Sequence, residues 1–242
     1  MKRLFLLPCL LISLLAAQTA TEVEITAEPS HHLALENEYV RVFQVEVPPH
    51  ACTLLHRHRH DYFFVTIGDS DISNEVEGKP PVKLTLADGD VRLADGDVRL
   101  TEGNFAHVAR NLSDRPFRNV TIELLQNENP RQPRWRLPLD ERDKTFPGGD
   151  VKILVFRETL LRERARVSKV ELDPGATLPS HRHDGPHLLV AVTDLDLRSD
   201  IEGKDPVPFT LKAGDVKWVD GAYTHTVTNT SPRPCRFLTF EF

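Results

Sequence analysis

Three histidines fall within seven residues in the stretch His181-Arg182-His183-Asp184-Gly185-Pro186-His187, and a fourth, His225, follows the Gly214-Asp215 turn and a run containing Trp218. Side chains two apart on a strand share a face, so His181 and His183 converge on one point. Asp184-Gly185-Pro186 reads as a turn from which His187 opens the returning strand. Imidazole nitrogens gathered in this way are ligands for a divalent transition metal, at about 2.0–2.1 Å when the ion is zinc. The competing reading is a row of solvated histidines on a polar strand. A second constellation, His56-Arg57-His58 followed by His107, weighs against it.

The two constellations belong to an internal repeat. Pro49, Ala51, His56 and His58 recur 125 residues later as Pro174, Ala176, His181 and His183, and Glu77-Gly78-Lys79 recurs as Glu202-Gly203-Lys204. Gly89-Asp90-Val91 recurs at the same offset as Gly214-Asp215-Val216. Further on the offset is 118, which carries Gly103, His107 and Asn111 onto Gly221, His225 and Asn229. The difference of seven is a local duplication, LADGDVR at 86–92 and again at 93–99. An odd insertion would reverse the faces of any strand that absorbed it, so it must loop out or lengthen a hairpin.

Short alternating or β-branched runs separated by Gly, Pro and Asp turns must position these side chains. In the first repeat they are Val40–Val47, Tyr62–Ile67, Val82–Leu86, Val98–Leu100, His107–Ala109 and Val120–Leu125. In the second they are Leu188–Val192, Val216–Val219, Thr224–Val227 and Phe237–Phe242. With no long helical period, this predicts an all-β sandwich or barrel for each repeat. Residues 126–149 carry Pro130, Pro133, Pro138 and Pro147 and read as a linker. The expected division is 21–125, linker 126–149, and 150–242.

Residues 1–20 differ in kind. Lys2 and Arg3 precede an apolar run from Leu4 to Ala17 and a small or polar exit, the pattern of a secretory signal peptide. That run is shorter than the roughly 20 residues needed to span a bilayer. A periplasmic or secreted protein with no membrane association after cleavage is the expectation. A net charge of −6 gives no reason to expect nucleic acid as a partner. Beyond the leader the cysteines are Cys52 and Cys235, read as two buried thiols, although an oxidising compartment permits a bridge.

On these residues the chain resembles the cupin superfamily, and two copies in one chain resemble a bicupin. Gly175, His181 and His183 match that family's first motif, with His187 where the family usually has Glu; Gly214, Gly221, His225 and Asn229 match its second. In the first repeat His56, His58, Gly96, Gly103, His107 and Asn111 match, His50 replaces the leading Gly, and Tyr62 takes the Glu position. Thr101 and Val219 replace the motif proline, and one extra residue precedes His107 and His225. The resemblance implies two tandem jelly-roll (double-stranded β-helix) barrels, each with metal ligands lining a pocket for a small molecule.

By the same resemblance, site one comprises His56, His58 and His107, and site two His181, His183, His187 and His225. Four neutral ligands leave a divalent ion its full charge, which favours an anionic substrate or acidifies a bound water. Fe, Cu, Ni and Zn suit imidazole, Mn is a further option, and affinity order alone does not choose among them. Tyr62, His60, Phe105 and Tyr223 are the pocket candidates. Asn111 and Asn229 are expected to bond turn backbone, and His31 and His32 to be surface residues. With one ligand fewer, site one is expected to be the more open. No catalytic residue is assigned. An enzyme of dioxygenase, other oxidoreductase, decarboxylase or isomerase type acting on a small acidic or oxygenated molecule is one reading. A non-catalytic metal- or ligand-binding protein, or a structural one, is the other. Pairing of strand edges into a homodimer follows from family analogy alone.

Overall fold

The computed structural model describes residues 21–93, 104–125, 144–145, 149–155 and 166–242. Apart from a 3-10 turn at Ile25–Ala27, the regular structure among them is strand. In chain order the first half contributes β1 (Val23–Glu24), β2 (His31–Glu36), β3 (Val40–Val47), β4 (His56–His58), β5 (Tyr62–Ile67), β6 (Ser70–Val76), β7 (Val82–Leu86), β8 (Val91–Leu93), β9 (Phe105–Asn111) and β10 (Phe117–Leu124). The second contributes β11 (Lys144–Thr145), β12 (Val151–Val155), β13 (Arg166–Leu172), β14 (Thr177–His183), β15 (His187–Ala191), β16 (Leu195–Ile201), β17 (Val207–Leu211), β18 (Val216–Val219), β19 (Tyr223–Asn229) and β20 (Cys235–Glu241). The expected strand Val98–Leu100, the leader, and the Pro-rich segment apart from 144–145 and 149 lie outside the described residues.

Each half has two sheets. In the first they run β1-β4-β9-β6-β7 and β2-β3-β10-β5-β8; in the second, β11-β12-β13-β20-β15-β18 and β14-β19-β16-β17. One apolar cluster fills each half, with Phe43, Val47 and Ile72 in the first and Leu172, Leu197 and Phe237 in the second. A third cluster joins the halves: Val120, Ile122 and Leu124 of β10 share it with Leu188, Leu238 and Phe240. This explains why β10 and β20 are buried on both faces. Their other faces carry Asn119, Thr121 and Glu123, and Thr239 and Glu241, back into their own half, as strand alternation requires.

Polar contacts between the halves follow the repeat. The Arg118 guanidinium donates to the Ala213 carbonyl at 2.9 Å. Its repeat counterpart Arg236 donates to the carbonyl of Asp88, the counterpart of Ala213, at 3.3 Å, and also pairs with the Asp88 carboxylate. Gly89 and Gly214 turn at equivalent points, with φ of 77° and 92°. Their amides bond Thr66 and Ala191 carbonyls, each at 2.8 Å. A Cβ on Gly89 would lie 3.0 Å from the Val192 side chain, so the turn also needs a small residue. These bonds place the first copy of LADGDVR at the turn and revise the alignment of Gly96 with Gly214. Gly96 and Gly103 lie outside the described residues.

Among the described residues Cys52 and Cys235 are both free, and only Cys235 is buried; Cys52 is exposed, contrary to expectation. The alternation that turns Thr53 inward turns Cys52 out. Burial pushes the Cys235 thiol up to about 11.

Candidate metal centres

In the second half, antiparallel pairing of β14 with β19 sets His181 opposite His225, after a register shift between Leu178 and His181. The Nδ1 atom of each ring already has a partner. His181 Nδ1 donates to the Pro179 carbonyl at 2.8 Å, and His183 Nδ1 to Glu241 Oε1 at 2.6 Å. His225 Nδ1 meets Ser199 Oγ at 2.8 Å. A carbonyl and a carboxylate only accept, so His181 and His183 carry their protons on Nδ1 and present lone pairs at Nε2. Those lone pairs face His225 Nε2 at 2.9 and 3.2 Å. One proton on His225 could not satisfy both contacts fully, whereas one cation satisfies all three nitrogens. Ligands at right angles on an ion 2.0–2.1 Å away would stand about 2.9 Å apart, so the spacing fits. Burial, with His181 and His183 adding to it, lowers His225 to about 3, so its ring stays neutral and able to ligate.

His187 is placed differently from its three companions. It comes from β15, in the opposite sheet, and its ring stacks on His183 with centroids 4.0 Å apart and planes at 16°. Its Nε2 meets the Tyr223 hydroxyl at 3.2 Å. Burial raises Tyr223 to about 12, which keeps that hydroxyl protonated, and burial lowers His187 to about 4. The group whose donor atoms lie within 4.8 Å of one another is thus His181, His183 and His225.

The first half repeats the plan. β4 and β9 set His56 opposite His107. The ring centroids of His56, His58 and His107 are 5.1, 4.5 and 5.2 Å apart, against 5.0, 4.4 and 5.1 Å for His181, His183 and His225. His56 Nδ1 donates to the Leu54 carbonyl at 2.9 Å, and His107 Nδ1 to Asn74 Oδ1 at 2.6 Å. The Nε2 atoms of both rings are buried with no hydrogen-bond partner among the described residues. A buried polar atom left so is costly unless something fills the site, and an ion fits these lone pairs. Burial lowers His56 to about 4 and takes His58 and His107 well below the ordinary value. Tyr62 stacks on His58 at 3.8 Å, the arrangement that His187 has on His183.

One expectation is overturned here. His31 is no surface residue: its side chain is 5% exposed, and its ring lies 4.7 Å from that of His56. The donor atoms of His31, His56 and His58 lie within 4.8 Å of one another, so this half also has its group of three, with His31 in it and His107 outside it. The turn at Ile25–Ala27 and the β2–β3 pairing fold the N-terminal segment over the site, which local reading of the sequence could not foresee. Glu28 Oε2 accepts from His31 Nδ1 at 2.6 Å and from the Ser30 amide at 2.8 Å, and its Oε1 accepts from the Leu54 amide at 3.1 Å. Burial alone would raise Glu28, but these bonds outweigh it and leave the carboxyl below its ordinary value. His32 is exposed, as expected.

Two more carboxylates escaped the sequence reading. Glu123 Oε1 lies 3.4 Å from His58 Nδ1, in the place that Glu241 takes beside His183. Burial raises Glu123 to about 7 although Arg41 opposes it. The two are separated by the same 118 residues as His107 and His225, which is the signal that could have revealed them. Asn111 and Asn229 bond turn backbone: each donates to three carbonyls, of Val47, Pro48 and Arg115 and of Leu172, Asp173 and Arg233.

A cavity of about 90 Å³ opens beside the first group, reached by His31, His56, His58, His107 and Tyr62, with Lys79 among its lining. Phe105 stands outside that lining, its ring 5.6 Å from His107. His60 is half-buried and belongs to neither group. Tyr223 packs edge-on against His225 at 4.8 Å.

Residues 168–241 match the family model described as Cupin domain. No curated protein matches the chain. Among solved structures it is similar to an oxalate decarboxylase studied for its substrate binding mode and a reaction specificity switch, at 15% identity and a TM-score of 0.59, over 87% of this chain and 74% of that one. A Bacillus subtilis oxalate decarboxylase studied for its Mn(II) centres gives the same figures. Bacillus subtilis oxalate decarboxylase at pH 4.6 matches at 16% identity and a TM-score of 0.58, over 84% of this chain and 68% of that one. At such identity the likeness is one of fold.

Proposed function

We propose that the protein is an extracytoplasmic bicupin that holds one divalent transition metal in each half and binds or converts a small anionic or oxygenated molecule beside the first. The observation that carries this reading is the convergence of His181, His183 and His225, with the His225 Nε2 atom 2.9 and 3.2 Å from the other two while the Nδ1 of each of the three is engaged elsewhere. The cupin match over residues 168–241 and the fold likeness to oxalate decarboxylase support it. So does the leader pattern of residues 1–20.

His56, His58 and His107 would hold the ion of the first half, and His181, His183 and His225 that of the second. An ion held by neutral ligands supplies a Lewis-acid centre with its double charge intact. The chain itself supplies position and field. Glu241 orients His183 through a 2.6 Å hydrogen bond, as a carboxylate behind a metal-binding imidazole does, and Glu123 stands 3.4 Å behind His58 in the corresponding place. Lys79 adds positive charge to the cavity, and the apolar lining, Val45, Ile72 and Phe117 among it, limits water. Both features favour a compact anion. Oxygen-rich sites suit Mn, so all-nitrogen groups favour Fe, Cu, Ni or Zn, and the Mn(II) of the oxalate decarboxylase does not carry over with the fold.

A non-catalytic binding protein is the second reading, and one observation favours it: among the described residues no carboxylate lines the cavity to act as acid or base. Metal analysis of the protein beside His183→Ala and His58→Ala tests the proposal. Two equivalents are expected in the parent, falling by one in each variant; a parent that cannot be loaded refutes it. Oxygen uptake and product analysis with a panel of small acids then divide enzyme from binder.

A further inference from the structure

We propose that the two halves hold their ions in unlike coordination: His31 joins His56, His58 and His107 as a fourth imidazole in the first half, whereas the second half has three. This rests on the metal-binding reading above and goes beyond the pattern that the two repeats share.

Four observations lead to it. The rings of His56, His58 and His107 reproduce the trio of the second half to within 0.1 Å in each centroid separation, while the donor atoms grouped within 4.8 Å are those of His31, His56 and His58, so His31 comes to a set whose rings already match the other half. Its donor atom lies within 4.8 Å of those of His56 and His58, which admits a shared ion, since opposite ligands on one ion stand about 4.2 Å apart. Its Nδ1 proton is spent on Glu28, so the nitrogen left to ligate is Nε2, as in His56 and His107. Glu28 is itself fixed by the Leu54 and Ser30 amides, and Leu54 also supplies the carbonyl that orients His56. One short stretch of backbone therefore aims two of the four rings.

The fourth observation is the missing counterpart. His31 pairs with Val45 across β2 and β3. The repeat carries Val45 onto Val170, and the residue that pairs with Val170 across β12 and β13 is Ile153. Isoleucine has no donor. Four imidazoles leave one position on a five-coordinate ion or two on a six-coordinate one, and the cavity that contains Lys79 lies beside them. The class of metal that suits such a set is a borderline ion such as Cu²⁺, Zn²⁺ or Ni²⁺.

The test uses full-length protein carrying His225→Ala, which vacates the second half, loaded with one equivalent of Cu²⁺. Pulsed paramagnetic resonance counts the coordinated imidazoles. Four are expected in this parent and three after a further His31→Ala, with copper affinity against a competing chelator reduced at least tenfold and restored by added imidazole. The count in the parent requires no change at His31, so the proposal stays exposed even where His31→Ala fails to fold. Glu28→Gln, which keeps the shape of the side chain, should weaken copper about tenfold while retaining four nitrogens. Three nitrogens in the parent, or four after His31→Ala, overturns the inference and leaves the metal reading intact. Failure of the His225→Ala protein to take up copper at all removes the reading on which it rests.

Discussion

At the scale of single residues, the chemistry depends on which ring nitrogen is free. A histidine with both nitrogens in solvent binds a metal weakly, because its orientation and tautomer are unfixed. Here Nδ1 is engaged by Leu54, Pro179, Asn74, Glu28 or Glu241, so Nε2 is what remains. Glu241→Gln keeps the side-chain shape but removes the charge behind His183; it should weaken metal at the second half by about 10–100-fold without changing the stoichiometry at saturation, as chelator competition would show. An unchanged affinity would mean that the carboxylate does not tune this ligand. His50 offers a separate test. It holds a φ of 57° where the second repeat has Gly175 at 75°, and its ion pair with Asp114 is exposed. Exposed pairs contribute little, whereas a β-carbon in the left-handed region costs about 1–2 kcal/mol. His50→Gly should therefore stabilise the protein by up to about 1 kcal/mol, because glycine's extra freedom when unfolded offsets part of the gain, and a urea titration reads it.

At the scale of elements, hydrogen-bond register does the positioning. Pairing of β4 with β9 and of β14 with β19 brings a His-x-His pair and a histidine about fifty residues later, in the first half, to one point. The His-x-His spacing and its repeat were legible in the sequence because strand alternation is a local rule. His31 was not, because its place depends on a turn and a strand pairing that no local pattern encodes. The parallel roles of Tyr62 and His187, each stacked on the second histidine of its pair, were legible as positions and not as contacts. Asn111 and Asn229 fasten the ends of β9 and β19 to the turns beside them. Replacing either by Ala removes the amide that ties these carbonyls together, although Pro48 and Asp173 keep the Ala51 and Ala176 amides, and should cost about 2–3 kcal/mol, measured by chemical denaturation. A cost near zero would show that water substitutes for the amide.

At the scale of the whole molecule, the cluster between the halves couples them. Phe240 lies within it against Phe63, with ring centroids 5.5 Å apart. Phe240→Ala should cost about 3–5 kcal/mol and lower one calorimetric transition common to both halves. Two separate transitions in the parent would show that the shared core does not couple them.

Acid should destabilise the metal-free protein. His56 and His187 titrate at about 4 and His225 at about 3 when folded, against 6.5 ordinarily, so the unfolded chain binds more protons across that window. Stability therefore falls as pH drops from 6.5 towards 4, and these groups cease to contribute further loss below their folded values. Glu123 acts in the opposite sense: raised to about 7 from 4.5, it favours the folded state as pH falls through that range and offsets part of the loss. The imidazoles outnumber it, so the urea midpoint should decline between pH 6.5 and 4; a flat profile would contradict the burial of neutral rings.

The sequence by itself determined what alternation and repetition can encode: an all-β chain, two related halves, and the histidine pairs that converge in each. Only the tertiary structure decided which nitrogens are free, that His31 and its carboxylate close the first group, that His187 lies flat against His183, and that Glu123 and Glu241 stand behind their histidines. Those facts come from strands meeting across sheets and from a segment folding back over a site. The physical reason is that a ligand set is fixed by distances between residues far apart in the chain, and spacing along the chain constrains such distances only within one element.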